Sequence, residues 1–167
     1  MPLSNTIKHP LTGIPYDSLR YRLRMQGFTD VSDRDLHDVQ LWLRLSPAVC
    51  MVGVALGTAL ASPVIIGILM PISALGAIYP YNLFDLIYNH GIRRVTGSAP
   101  LPRRRAPSRF ACLVATIWLG LILWAFLAGA VVIGYILGGA MVFVAGLMTF
   151  MHYCIASHLY RMVLGWD

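Results

Sequence analysis

Two stretches of the chain, Leu45 to Phe84 and Phe110 to Tyr160, contain no Asp, Glu, Lys or Arg. An α-helix rises about 1.5 Å per residue, and the hydrocarbon core of a bilayer is about 30 Å thick. The first stretch is therefore about two crossings long, and the second is about two crossings with helix to spare. A soluble domain must wet its surface, and a chain that is 57% hydrophobic and 12% charged has little with which to do so. The expectation is an all-α integral membrane protein with four transmembrane helices in two hairpins and an interfacial amphipathic helix between them.

The charges fall where such a topology needs them. Lys8, Arg20, Arg22, Arg24, Arg34 and Arg44 precede the first stretch. Arg93, Arg94, Arg103, Arg104, Arg105 and Arg109 lie between the two, and Arg161 follows the second. A net charge of +6 would suggest nucleic acid in a soluble protein. Here the positive-inside rule accounts for it and puts both termini and the central linker in the cytosol, with no nucleic-acid partner expected. The first thirty residues lack a short apolar run ending in small residues, so no secretory leader is expected. Three cysteines inside a membrane domain do not make a disulfide framework.

The expected organisation is a basic interfacial arm over 1–31, a transmembrane domain over 32–164 and a tail over 165–167. Within Leu19 to Met25, apolar and basic residues alternate, which suits an arm lying on anionic headgroups or a strand with Arg20, Arg22 and Arg24 on one face. Ser32, followed by Asp33 and Asp35, is a good helix start. The spacing predicts spans over 39–61, 64–79, 109–128 and 131–155. Ser62-Pro63 marks the first turn, Pro71 kinks the return helix, and Pro80 redirects it. No polar residue marks the turn near Gly129, so one long bent helix is the alternative there. The linker, 81–108, opens with the interfacial helix. The last helix is expected to run past the membrane towards Leu164.

Gly53 and Gly57, and Gly134 and Gly138, are four-residue pairs that let helix backbones approach closely, either within the chain or against a partner. Cys50, Cys112 and Cys154 lie six, three and seven residues from Arg44, Arg109 and Arg161, so all three thiols fall at similar depth in the inner leaflet. His152 and His158 flank Cys154, and His90 and Asp85 lie on the interfacial segment. Cys154 and His158 share a helix face, an arrangement with which thiol chemistry or haem binding is conceivable, although free Cys is more often a small buried hydrophobe. No Cys-x-x-Cys or paired-His spacing is present, and no metal is expected. Asp33 with His37 is explained by the helix dipole and the nearby arginines. No charge lies at mid-membrane, and nucleotide-binding, hydrolase and zinc-protease motifs are missing, so an autonomous pump or hydrolase is not expected.

The segment Tyr81-Asn82-Leu83-Phe84-Asp85-Leu86-Ile87-Tyr88-Asn89-His90-Gly91-Ile92-Arg93-Arg94 continues through Thr96-Gly97, Pro100-Leu101-Pro102 and Pro107-Ser108-Arg109-Phe110-Ala111-Cys112. With Cys154-Ile155-Ala156-Ser157 and Tyr160, it resembles an uncharacterised bacterial family of small four-helix membrane proteins, known only as a domain of unknown function. The resemblance covers roughly residues 40 to 164. It implies the inner (cytoplasmic) membrane and draws attention to Asp85 to Arg94 and to Cys154. It supplies no activity. Relatives are expected to carry proline where this chain has Ala156, which removes a kink.

These features suggest a non-catalytic accessory subunit of a larger membrane complex, of respiratory or photosynthetic type. Glycine faces would pack on partner helices, while Arg20, Arg22, Arg24, Arg93, Arg94, Arg103, Arg104 and Arg105 would hold anionic lipid or partner loops. No cofactor is predicted for that role. The alternative is a small membrane redox protein in which Cys154, His158, Cys112, His90 and Asp85 mark a site for haem, quinone or a thiol partner.

Overall fold

The computed structural model describes residues 21–22, 43–81, 83–96, 101, 105–151 and 154–164. They are helical throughout, with short connections and no strand among the described residues. Helix α1 spans Leu45–Ala59 and α2 spans Pro63–Ile78. A short helical segment follows, made of α3 (Leu83–Ile87), a π-helical turn (Tyr88–Ile92) and α4 (Arg93–Thr96). Then come α5 (Ala106–Leu127), α6 (Val131–Met151) and α7 (Ile155–Leu164).

Local chemistry sets these boundaries. Ser62 caps α2, its Oγ accepting from the Ile65 N–H at 3.5 Å, and Pro63 follows where its missing N–H costs nothing. Between α1 and α2 the chain turns through Ala61 at φ +44°. Between α5 and α6 it turns at Gly129, whose φ of +75° suits a residue without Cβ. Pro71 lies inside α2, and α2 meets the segment Leu83–Ile92 at an angle of 77°.

The helices pack in a closed cycle. Helix α2 lies along α5, α5 against α6, α6 along α1, and α1 against α2. Val54, Ile66, Leu119, Ile122, Phe126 and Met141 form the buried centre. The outward faces are equally apolar: Leu60, Val64, Trp124, Val132, Ile136 and Phe143 are all exposed. Such a surface is unfavourable in water and natural in hydrocarbon.

Helices α5 and α6, with 22 and 21 residues, are each long and apolar enough to cross a membrane. Helix α2 joined to the segment after it makes a third candidate. Helix α1, at 15 residues, is apolar but short, rising about 22 Å.

Two segments differ from a simple reading of the sequence. The interfacial segment is one helical course broken by a π turn, in which His90 Nδ1 lies 3.1 Å from the Leu86 carbonyl. The last helix does not continue α6. It is interrupted at Cys154, and α7 packs on the start of α5, although Ala156 has no proline to enforce the break. The interruption is held from the other side: Ser157 Oγ donates to the Pro107 carbonyl at 3.2 Å, and the Phe110 and Tyr160 rings meet at 5.3 Å.

Both outlying helices turn their polar side inward. In α3 and the π turn, Asp85 and Tyr88 are buried while Leu83, Leu86 and Ile87 are exposed. In α7, Ser157 is buried while Ile155, Leu159, Met162 and Val163 are exposed. This inversion puts the polar atoms against protein partners and leaves the apolar stripe for lipid.

Candidate ligand cavity

Between the helices lies a partly open cavity of about 350 Å³, within the usual range of small-molecule sites. Leu69, Val114, Ala115, Trp118, Met141 and Val144 make its walls almost wholly apolar. Cys50 from α1, Cys112 from α5 and Cys154 at the start of α7 all line it. None of the three is in a disulfide. They come from distant points of the sequence, and the packing cycle brings them together.

The walls are fixed by hydrogen bonds that cross between helices. Trp118 Nε1 donates to the Leu137 carbonyl at 3.1 Å, joining α5 to α6. Ser73 Oγ donates to the Cys112 carbonyl at 3.1 Å, joining α2 to α5, and Thr116 Oγ1 donates to the same oxygen at 2.8 Å. A buried indole or hydroxyl needs such a partner in a medium without water.

One end of the cavity is polar. Ser46 in the first turn of α1 and Ser108 in the first turn of α5 line it and are buried. Basic residues cluster around this end of the helices. Arg109 donates from Nε to the Ala77 carbonyl at 2.9 Å and from Nη2 to the Ile78 carbonyl at 2.7 Å, closing the last turn of α2. Arg22 Nη1 donates to the Met151 carbonyl at 2.7 Å, closing the last turn of α6. Both place a cation at the negative end of a helix dipole. Arg44 is the N-cap of α1 and makes no side-chain capping bond there.

The residues singled out in the sequence fall into distinct groups. Gly53 faces Leu69, Gly57 faces Ile65 and Ile66, Gly134 faces Phe126, and Gly138 faces Thr58. All four thus meet side chains of this same chain. A Cβ on Gly57 would stand 2.7 Å from Ile66 Cδ1. Arg93 and Arg94 are exposed, and Arg105 is the N-cap of α5. Arg20, Arg24, Arg103 and Arg104 lie outside the described residues, as do His152 and the acidic group from Asp30 to Asp38.

Cys112 and Cys154 reach the cavity, but His90, His158 and Asp85 do not line it. Among the described residues, the walls therefore offer sulfur without imidazole. No group of three or more His, Cys, Asp or Glu among the described residues is arranged to hold a metal ion. Cys50, the third thiol, is the residue that depth along the sequence already pairs with the other two. Ser46 and Ser108 carry no sequence signal beyond their place in a helix's first turn.

An all-α membrane protein with an apolar cavity between its helices is the class these features define. The chain belongs to the family described as a domain of unknown function (DUF4395), whose model matches residues 40–164. No curated protein and no solved structure matches it.

Proposed function

We propose that this protein spans the membrane four times, as two helical hairpins with the basic end in the cytosol, and holds an apolar small molecule in the cavity between its helices. The observation that carries the reading is the cavity itself, large enough for a ligand, almost wholly apolar, and lined by all three cysteines. Ligand sites of this kind combine apolar walls with a few placed polar groups. Thiols and the thioethers of Met141 and Met148 add polarizable surface that adapts to a planar or chain-like guest. The reading keeps the lipid-soluble ligand of the redox alternative and leaves its histidines out.

The accessory-subunit reading remains as a second proposal, supported by the outer face of α6. Among the described residues, no side chain and no other helix lies within 4 Å of where a Cβ on Gly139 would stand, and Ala140 and Phe143 beside it are exposed. A helix of another chain could approach closely there. A mild-detergent pull-down tests that reading by the presence of a stoichiometric partner.

Alkylation tests the cavity reading. A membrane-permeant maleimide should label Cys50, Cys112 and Cys154, and one bound apolar ligand should slow all three together. Protection of none, or of a single thiol, would count against a common site.

A further inference from the structure

Five sulfur-bearing side chains line the cavity: Cys50, Cys112, Cys154, Met141 and Met148. Helix register decides which of them stand at one level. Helices α5 and α6 turn back on each other at Gly129, and Gly134 faces Phe126 across the pair. Fourteen residues back from Phe126 is Cys112, and fourteen on from Gly134 is Met148. Those two therefore stand at the same level.

Helix α1 runs against α6 in the same sense. Gly138 meets Thr58, and a Cβ on Gly146 would stand 3.6 Å from Met51 Sδ. Cys50 precedes Met51, and Met148 lies two residues beyond Gly146, so Cys50 falls within one helical turn, about 5 Å, of the same level. Cys50 also lies within electrostatic range of Cys112. Met141 is seven residues, about 10 Å, farther along α6. The three cysteines by themselves form no metal-holding group. The third donor at this level is a thioether.

These donors are soft, and among the described residues the lining supplies no imidazole or carboxylate. Thiolate and thioether sulfur suit Cu(I), whereas Zn(II) favours four ligands and Mg(II) and Ca(II) favour oxygen. Apolar walls penalise a net charge. A monovalent ion meets that condition by displacing one thiol proton to solvent, so that a single thiolate neutralises it while the other thiol and the thioether stay neutral.

We infer that Cys50, Cys112 and Met148 form a Cu(I) site within the cavity, with Cys154 outside it. The site goes beyond the apolar guest and does not require it, since Trp118 lies six residues, about 9 Å, farther along α5.

The test is titration of the full chain in zwitterionic nanodiscs with Cu(I), held by a competing chelator under ascorbate. One Cu(I) per chain is expected, with release of about one proton. Cys50→Ser and Cys112→Ser should each weaken binding more than about tenfold, and Met148→Leu, which keeps the volume, several-fold. Cys154→Ser should leave the affinity unchanged and controls for the loss of a thiol from the cavity wall. X-ray absorption of the loaded wild-type protein, which needs no variant, should show sulfur neighbours alone. Nitrogen or oxygen neighbours, an unchanged affinity in Met148→Leu, a loss at Cys154→Ser equal to that at Cys50→Ser, or no bound Cu(I) would each overturn the site. The apolar-guest reading stands or falls separately, on binding of an organic ligand in the absence of metal.

Discussion

Ser157 donates its hydroxyl hydrogen to the carbonyl oxygen of Pro107 across 3.2 Å, joining residues 50 apart in the chain, and both residues are almost fully buried. Pro107 belongs to the first turn of α5 and Ser157 to the first turn of α7. Their bond docks α7 against the bundle and places Cys154 in the cavity wall. Ser157→Ala should loosen this docking by about 1 kcal/mol, the usual size of one such bond in a protein or a membrane. In a chain with Cys50 and Cys112 replaced by Ala, the measurable result is alkylation of Cys154 several-fold faster than in the Ser157 parent.

Gly138 packs against the Thr58 side chain, where α6 crosses α1. Thr58 is buried and its Oγ1 has no hydrogen-bond partner among the described residues. Gly138→Ala should force the two helices apart and cost about 1–3 kcal/mol, as overpacking does. At the neighbouring Gly139, where the added Cβ meets open space, the same change should be neutral or slightly stabilising. Thr58→Ala should rescue Gly138→Ala in part, because it removes the unpartnered hydroxyl and the two nearest atoms but leaves the Thr58 Cβ 2.9 Å from the added methyl. A double-mutant cycle in detergent unfolding reads the coupling.

Arg109 closes the last turn of α2 through two carbonyls on a helix that is not its own. Arg109→Ala should destabilise the protein by about 1–3 kcal/mol, as loss of hydrogen bonds from a charged donor does. Arg109→Lys should restore only part of this, since an ammonium cannot reproduce the fork that spans Ala77 and Ile78. Unfolding midpoints of the three proteins in one detergent check the order.

How much of this was legible beforehand varies with the kind of signal. The helical class and the apolar character of α5 and α6 follow from the absence of charge between Phe110 and Tyr160, because a bilayer tolerates little else. Gly129 and the Ser62-Pro63 pair are local turn signals, each acting through its own backbone chemistry.

The cavity is of another kind. Depth along each helix placed Cys50, Cys112 and Cys154 at one level, but rotation about the helix axes decides whether side chains at one level face each other. That rotation is set by which helices pack together, and no local pattern encodes it when every face is apolar. The same ambiguity concealed the inward polar faces of α3 and α7, since an amphipathic helix at a membrane can turn either side towards protein. Arg22 shows a third limit. Its alternating sequence context suggested lipid, whereas its guanidinium closes the end of α6 at Met151, distant in the chain.

Trp118 and Trp124 give the most direct test, because they sit on the same helix in different surroundings. Trp118 lines the cavity, and Trp124 is 63% exposed on the outer face of α5. Two proteins are compared, each keeping one of these residues and carrying Phe at the other three tryptophan positions. A long-chain amphiphile with a brominated tail is titrated into nanodiscs containing each. Saturable quenching of Trp118 at near one ligand per chain, with Trp124 quenched only in proportion to bromine in the bilayer, is the predicted result. Quenching of both tryptophans in the same unsaturable way would contradict the cavity as a binding site.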